Sequence, residues 1–174
     1  MNIRIPYLFD SLFKLKSNPY REKTIIRTRV YCKQLVSWLN REHEIPIGKK
    51  LRKLKIPKMI FTNEKLQRAY LRGLFDTDGT FYGRRNNEPV IGYISLNFEY
   101  LETVRALLKV NGFNFGRTDK DLYLYNKNQI DHFFKIIKHK NEKHVLKYEI
   151  FKKTGKILKT EELIDYMTHR WCNG

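Results

Sequence analysis

Residues 71–79 constrain the fold of this chain more strongly than any other segment, because a helical apolar pattern there runs directly into acidic residues. Ala69, Tyr70, Gly73 and Leu74 follow Leu66 by three, four, seven and eight residues, which predicts one face of a helix. Ala69 and Gly73 are small and one turn apart, so a second backbone could approach this face closely. The pattern therefore predicts a helix that packs through small residues and ends in carboxylates.

The two carboxylates, Asp76 and Asp78, fall in the last turn of the predicted helix, and Gly79 supplies a C-terminal stop. The helix dipole already places partial negative charge at this end, so carboxylates are unfavourable there unless a cation compensates them. Mg²⁺ takes oxygen ligands and retains several water molecules. The acidic helix end is therefore a candidate magnesium site.

The nonapeptide at residues 71–79 resembles the LAGLIDADG motif of homing endonucleases. Its matches to the consensus are Leu71, Gly73, Leu74, Asp76, Asp78 and Gly79. Arg72, Phe75 and Thr77 are common variants of the remaining positions. Residues 56–60 (IPKMI) and 71–81 resemble the corresponding segments of archaeal-type and intein-type members. The resemblance implies an α+β, homing-endonuclease-like fold, a saddle built from αββαββα repeats.

The net charge favours a nucleic-acid partner. The 174 residues include 35 lysines and arginines against 18 acidic residues, which gives a formal net charge of +17. Such an excess is typical of proteins that bind nucleic acid. No apolar run approaches the ~18–20 residues needed to cross a bilayer, and no signal-peptide layout is present. These features argue against a membrane or secreted protein.

Cysteine and histidine usage points to an intracellular protein, cytoplasmic or organellar. Cys32 and Cys172 are too few for a disulfide framework and lack the spacing of a zinc site. The five histidines form no HExxH pair, and we expect them at the surface or facing phosphates.

Apolar periodicity predicts the order of elements. We expect a helix at residues 6–16, a break at 17–19, a strand at 24–31, a helix at 33–40 and a basic loop at 48–55. The acidic helix, capped by Asn63, is followed by a hairpin (80–85 and 90–97), a helix (99–111), a hairpin (113–117 and 122–125) and a helix (127–138). This is the αββαββα order that the resemblance implies. Residues 144–171 predict one or two further helices.

An internal repeat is visible, because residues 30–35 (VYCKQL) parallel residues 124–130 (LYNKNQI) at an offset of 125 − 31 = 94. We interpret residues 1–62 as the C-terminal part of a first repeat, residues 63–143 as a complete repeat, and residues 144–174 as a helical tail. Two-repeat members of the family pack two acidic helices against each other. An incomplete first repeat therefore leaves cleavage activity open.

The resemblance implies phosphodiester hydrolysis assisted by Mg²⁺ or Mn²⁺, with a helix-end carboxylate as a metal ligand. Asp78 matches this catalytic and metal-binding position, and Asp76 is a lesser ligand candidate. Intein-type relatives often carry a basic catalytic residue after the last helix of each repeat, and Lys50 and Lys143 match it. The alternative for each lysine is ordinary contact with the DNA backbone.

Strand faces and basic loops supply candidate contacts to double-stranded DNA, because a two-stranded ribbon can enter the major groove. Any one of these residues is more suited to positioning the backbone than to reading a base. The candidates are Arg27, Arg29, Lys49, Lys53, Tyr82, Arg84, Arg85, Tyr93, Asn97, Arg117, Lys120, Tyr123 and Tyr125.

A single acidic helix leaves three arrangements open. Two copies could pair through Ala69 and Gly73 as a homodimer, a longer or separate chain could supply the missing half, or the chain has lost cleavage and retains binding. Two functions follow: a LAGLIDADG-type homing endonuclease, intact or degenerate, and a non-catalytic nucleic-acid-binding protein such as an intron RNA maturase or a regulator. Basic residues spread over strands and loops disfavour a membrane surface.

Overall fold

The N-terminal unit is a hairpin between two helices. The structure is a computed structural model that describes residues 4–22, 25–48 and 54–172, divided into units at residues 1–48 and 49–174. Helix α1 (Arg4–Phe13) leads into strands β1 (Asn18–Glu22) and β2 (Ile25–Arg29), which pair antiparallel, and helix α2 (Lys33–His43) follows. Strand β1 replaces the predicted break at residues 17–19. Pro19 is tolerated in it because each strand of a two-stranded sheet is an edge strand.

The C-terminal unit follows the predicted αββαββα order, and this fold prediction is confirmed. Its elements are α3 (Glu64–Asp78), β3 (Gly79–Gly83), β4 (Pro89–Ile94), α4 (Phe98–Val110), β5 (Gly116–Arg117), β6 (Asp121–Leu124) and α5 (Lys127–Ile137). Two further helices, α6 (Glu142–Thr154) and α7 (Thr160–Cys172), complete the unit. Within the described ranges, no helix combines the length and apolarity needed to span a bilayer.

Helix α3 begins and ends where the sequence predicts. The side chain of Asn63 accepts a hydrogen bond from the backbone N–H of Lys65, as expected of an N-cap residue. Gly79 ends the helix for a different reason from the one predicted, since its φ of −75° is not left-handed. A Cβ at this position would lie 2.6 Å from the ring and carbonyl of Phe75. Glycine is therefore required because the chain passes Phe75 closely as it enters β3.

The four antiparallel strands are ordered β3-β4-β6-β5, and the inner face of this sheet packs against α3, α4 and α5. Phe133 of α5 lies at the centre of the core, fully buried, with ring centroids 5.0 Å from Phe75, 5.0 Å from Phe113 and 5.7 Å from Phe115. Burial of apolar surface on this scale is the main stabilising contribution to the unit. The inner-face side chains are Phe81, Ile91, Tyr93, Leu122 and Leu124.

The 94-residue offset of the sequence is repeated in the structures of the two units. Helices α2 and α5 start and end 94 residues apart, since 127 − 33 = 94 and 137 − 43 = 94. Cys32 and Asn126 cap these helices through the same side-chain contact, and Glu44 and Lys138 end them with left-handed φ values of 54° and 55°. This correspondence supports the interpretation of the N-terminal unit as the latter half of a repeat. The boundaries at residues 62 and 143 stay a prediction.

Candidate nucleic-acid interface and acidic helix end

The outer face of the four-stranded sheet carries exposed aromatic and polar side chains. Paired residues of antiparallel strands project to the same face, so the registers place one residue of each strand in a row across it. Tyr82 and Tyr125, each 43% exposed, lie on this face beside the row. The row consists of Thr80, Gly92, Tyr123 and Gly116.

Two glycines of this row allow tyrosine rings to lie against the sheet. A Cβ at Gly92 would lie 3.3 Å from the ring of Tyr82, and a Cβ at Gly116 would overlap the ring of Tyr123. The rings of Tyr123 and Tyr125 stack with centroids 4.7 Å apart and an interplanar angle of 26°. The outer face is therefore smooth and aromatic, with hydroxyl groups available as hydrogen-bond donors and acceptors.

Basic residues border this aromatic surface at the ends of the hairpins. The guanidinium of Arg84 lies 4.8 Å from the ring centroid of Tyr125, within cation–π distance, and 3.7 Å from Glu88. Arg85 in the β3–β4 turn and Lys120 in the β5–β6 turn are exposed. The structure thus brings Tyr82, Arg84, Tyr123 and Tyr125 together on one face, with Arg85 and Lys120 at the hairpin turns.

Tyr93 lies on the opposite face, and the prediction that it points outward is wrong. It is buried in the core, and burial raises the pKa of its hydroxyl to about 12. Beside it the hydroxyls of Tyr70 and Tyr100 are 2.6 Å apart. Strand β4 is buried from Pro89 to Tyr93, so the alternation of polar and apolar residues could not reveal which side chains face inward.

Asn97 and Arg117 make contacts within the unit. The side chain of Asn97 accepts a hydrogen bond from Tyr100 N as the N-cap of α4, and its amide donates to the carbonyl of Leu54. The guanidinium of Arg117 lies 2.6 Å from Glu102 and 3.8 Å from the ring centroid of Phe98. Both side chains therefore stabilise the surroundings of α4, and a contact with DNA would compete with these interactions.

The N-terminal unit holds two further candidates. Arg27 and Arg29 of β2 are both exposed. Arg27 pairs with Glu22, and Arg29 lies 4.7 Å from the ring centroid of Tyr20. The candidates of the basic loop, Lys49, Lys50 and Lys53, lie outside the described residues.

Asp76 ties the end of helix α3 to the segment between α5 and α6. Its carboxylate accepts hydrogen bonds from Nδ1 of His139 (3.1 Å) and from the backbone N–H of Lys140 (3.0 Å). The side-chain amide of Asn141 donates to its main-chain carbonyl at 2.8 Å, and one turn earlier Arg72 Nε donates to the carbonyl of Ile137 at 2.9 Å. Asp76 thus joins the first helix of the repeat to the segment after its last helix. Both of its carboxylate oxygens already accept hydrogen bonds, which leaves it poorly placed as a metal ligand.

Asp78 is exposed, and its carboxylate accepts a hydrogen bond from the hydroxyl of Thr77 at 3.3 Å. Within the described ranges, no group of three histidine, cysteine or acidic residues could hold a metal ion. Magnesium sites commonly combine one or two carboxylates with substrate phosphates, so Asp78 supplies the minimum of such a donor set. Asp78 therefore stays a candidate for one ligand of a site that a substrate phosphate would complete.

The small-residue face of α3 is open. Ala69 and Gly73 are exposed, and a Cβ at Gly73 would meet no atom within 4 Å. Lys143 is also exposed, in the first turn of α6, where its backbone N–H donates to the side chain of Asn141. Of the residues that the sequence suggests for catalysis, Asp78 and Lys143 thus have exposed side chains. Each lies two residues from one partner of the hydrogen bond between Asp76 and Asn141.

His139 and His144 are buried, which contradicts the expectation that the histidines lie at the surface. Their rings pack near Phe75, with centroids at 5.1 Å and 6.0 Å. Burial lowers the pKa of both rings, and that of His144 falls to about 4 with a smaller contribution from His139. The sequence contains an indication of the burial of His144, because His144, Lys147, Tyr148 and Phe151 have the spacing of one helix face.

Comparison with known proteins gives the following matches. Residues 65–138 match the family model described as a LAGLIDADG-like domain. The crystal structure of full-length DUF199/WhiA from Thermatoga maritima is similar at 17% identity and a TM-score of 0.51, over 98% of this chain and 55% of that one. The N-terminal LAGLIDADG domain of DUF199/WhiA is similar at 18% identity and a TM-score of 0.49, over 77% and 63%. This chain therefore spans less than two thirds of either solved chain. No curated protein sequence matches it.

The two aspartates should differ sharply in their effect on stability. Asp76→Ala removes an acceptor from two hydrogen bonds and leaves the buried His139 without its partner, so we expect a loss of roughly 2–3 kcal/mol. Asp78→Ala removes an exposed carboxylate from the C-terminal end of a helix, so we expect a change within about 0.5 kcal/mol, or slight stabilisation. Urea unfolding of both variants measures this. Equal destabilisation by the two substitutions would contradict the assigned role of Asp76.

Stability should fall in mildly acidic solution because of His144. The unfolded state binds a proton near the ordinary pKa of 6.5, whereas the folded state binds it only near pH 4. The free energy of unfolding should therefore decline as the pH drops from about 6.5 to about 4, by on the order of 3 kcal/mol from this residue. His144→Gln should flatten the decline in thermal melts over this range, whereas the matched variant of the exposed residue, His132→Gln, should leave it unchanged.

Proposed function

We propose that this chain, whose residues 65–138 match the family model of a LAGLIDADG-like domain, binds double-stranded DNA through the outer face of its four-stranded sheet. The observation that carries the proposal is the surface formed by the exposed Tyr82 and Tyr125 and the half-buried Tyr123, bordered by Arg84. A sheet face of this kind presents hydroxyls and guanidinium groups that can contact base edges and phosphates.

The charge of the chain supports a polyanionic partner. Its net charge of +17 attracts the duplex before any specific contact forms and supplies cations that neutralise phosphates. Arg84, Arg85 and Lys120 lie at hairpin ends, where the DNA backbone would pass if the strands entered a groove. Tyrosine contributes contact area at low entropic cost, since its ring has few rotatable bonds.

We propose further that a single chain binds DNA without hydrolysing it. Asp76, one of the two acidic residues of the motif, is engaged by His139 and Lys140. Asp78 then remains as the exposed carboxylate of this helix end. Binding without cleavage agrees with this distribution of contacts, whereas hydrolysis would require further ligands from another chain or from the bound substrate.

Binding to a duplex should depend steeply on salt. If the interface neutralises ~6–10 phosphates, affinity should fall roughly 10³–10⁵-fold between 50 and 200 mM salt. Arg84→Gln should weaken binding and lower the slope of log K against log salt by about 0.9. Lys109→Gln removes an equal charge from α4 on the other side of the sheet and serves as the matched control. Fluorescence anisotropy with a duplex, and with a structured RNA as competitor, measures both effects.

A salt slope near zero for the unmodified protein would contradict DNA binding. Preference for the structured RNA at equal ionic strength would instead support the role of an intron RNA maturase, in which the tyrosine rings stack on unpaired bases.

The second candidate is a site-specific endonuclease that acts as a pair of chains. The open face at Ala69 and Gly73 favours it, because two copies of α3 packed there would bring two Asp78 carboxylates together. We expect any cleavage of a long duplex to require Mg²⁺ or Mn²⁺, to rise with the square of protein concentration when the monomer predominates, and to vanish in Asp78→Asn. Cleavage that persists in this variant would exclude the carboxylate from the reaction, and a strict monomer that cleaves would exclude the pairing.

A further inference from the structure

A cleft of about 590 Å³ lies where strand β3 and its turn meet the segment that joins α6 to α7. Asn87 connects its two walls, since its side-chain amide donates to the carbonyl of Gly155 at 2.8 Å and its side-chain oxygen accepts from Ile157 N at 3.2 Å. The walls are therefore held in place without a ligand. Tyr82 and Arg84 belong both to this cleft and to the outer face of the sheet.

Lys147 lines the cleft from helix α6 and is 5% exposed. Within the described part of the chain, its ammonium makes no hydrogen bond or ion pair. It lies on the buried face of the helix with His144 and Ile150. Burial lowers its pKa, with a further contribution from Lys143 and an opposing one from Glu162. The side chain is thus mostly buried while its ammonium is left without an internal partner among the described residues, so an acceptor from outside the protein would meet an unengaged donor in the cleft.

The remaining charges of the cleft are mostly positive. Arg84, Lys156 and Lys159 line it together with Lys147, against Glu161 and Glu162. Glu162 is already engaged, because its carboxylate accepts from the backbone N–H of Lys159 at 2.7 Å and lies 3.7 Å from the ammonium of Lys156. The cleft thus offers a preformed, cationic pocket with one unengaged donor on a mostly buried side chain, which suits an anion with several acceptor oxygens.

We infer that this cleft binds one phosphate group of the DNA backbone, with Lys147 as its buried contact and Arg84 at its rim. The inference rests on the proposed DNA-binding function and extends it, because the cleft continues the outer face of the sheet through Tyr82 and Arg84. A lysine contacts phosphate as a point charge, so the site positions the backbone and carries no sequence preference.

The decisive experiment measures duplex affinity against salt for the full chain and for Lys147→Met, which keeps the length of the side chain. We expect the slope of log K against log salt to decrease by about 0.9, the value for one lost phosphate contact. Lys153→Met removes an equal charge from an exposed position of the same helix and is the matched control. Lys147→Arg, which keeps the charge, should retain the slope of the unmodified protein.

Thermal melts of the same proteins separate binding from folding. Lys147→Met should melt at the same or a higher temperature, because methionine keeps the buried apolar part of the side chain and no internal hydrogen bond is lost. A clearly lower melting temperature would mean that the ammonium is satisfied inside the protein and would overturn the inference. Equal salt slopes for the unmodified protein, Lys147→Met and Lys153→Met would also overturn it, as would an equal decrease in both methionine variants.

Inorganic phosphate distinguishes the source of the ligand. At constant ionic strength, phosphate should raise the melting temperature of the unmodified protein more than chloride does, and Lys147→Met should abolish the difference. This effect together with an unchanged DNA salt slope would assign the cleft to free phosphate and overturn the backbone contact. A protein that binds no duplex refutes the proposed function, whereas one that binds duplex with a slope unaffected by Lys147→Met refutes the phosphate contact alone.

Discussion

The C-terminal unit depends on the contact between Asp76 and the segment that follows helix α5. Helix α3 ends in two aspartates against its own dipole, and the groups that compensate one of them come from residues 63 to 65 positions later: His139, Lys140 and Asn141. The contact therefore joins the first helix of the repeat to its last. Helix α3 ends at Asp78 and strand β3 begins at Gly79. The same contact therefore holds the point where the sheet begins and where Asp78 lies.

The sheet that α3 introduces has two faces of different chemistry. Its inner face is closed by aromatic packing around Phe133, whereas its outer face is smoothed by glycines at two positions of one row, Gly92 and Gly116. Glycine weakens a strand when nothing replaces its side chain, but a tyrosine ring laid over it restores the missing contact. A surface that is both flat and hydroxyl-rich suits a long, regular partner such as a duplex better than a compact ligand.

Helix α6 shows how a strongly basic chain distributes its charges. Its buried face contains His144 and Lys147 beside Ile150, and burial lowers the pKa of both titratable side chains. With 35 basic against 18 acidic residues, the chain has few carboxylates to pair with internal cations. Natural proteins tolerate such a loss of stability where it serves binding, and in the proposed complex a polyanion would supply the missing acceptors.

How far the sequence predicts this structure depends on how local each feature is. Hydrophobic periods of 3.6 and 2 residues, the cap at Asn63 and the offset of 94 residues are local or repetitive signals, and they led to the correct order of helices and strands in the C-terminal unit. The inward direction of Tyr93 is not local, because β4 is buried along most of its length and has no polar alternation to reveal its phase. Strand β1 was missed for a similar reason, since Pro19 usually marks a break.

The sequence by itself determined the motif, the excess of positive charge and the αββαββα order, because each follows from composition or from a succession of local patterns. Tertiary structure alone decided that Asp76 is a structural acceptor while Asp78 is exposed, and that His139, His144 and Lys147 are buried. Adjacent carboxylates on one helix look alike in sequence. Their roles separate when residues more than sixty positions away supply hydrogen bonds to one of them and leave the other in solvent.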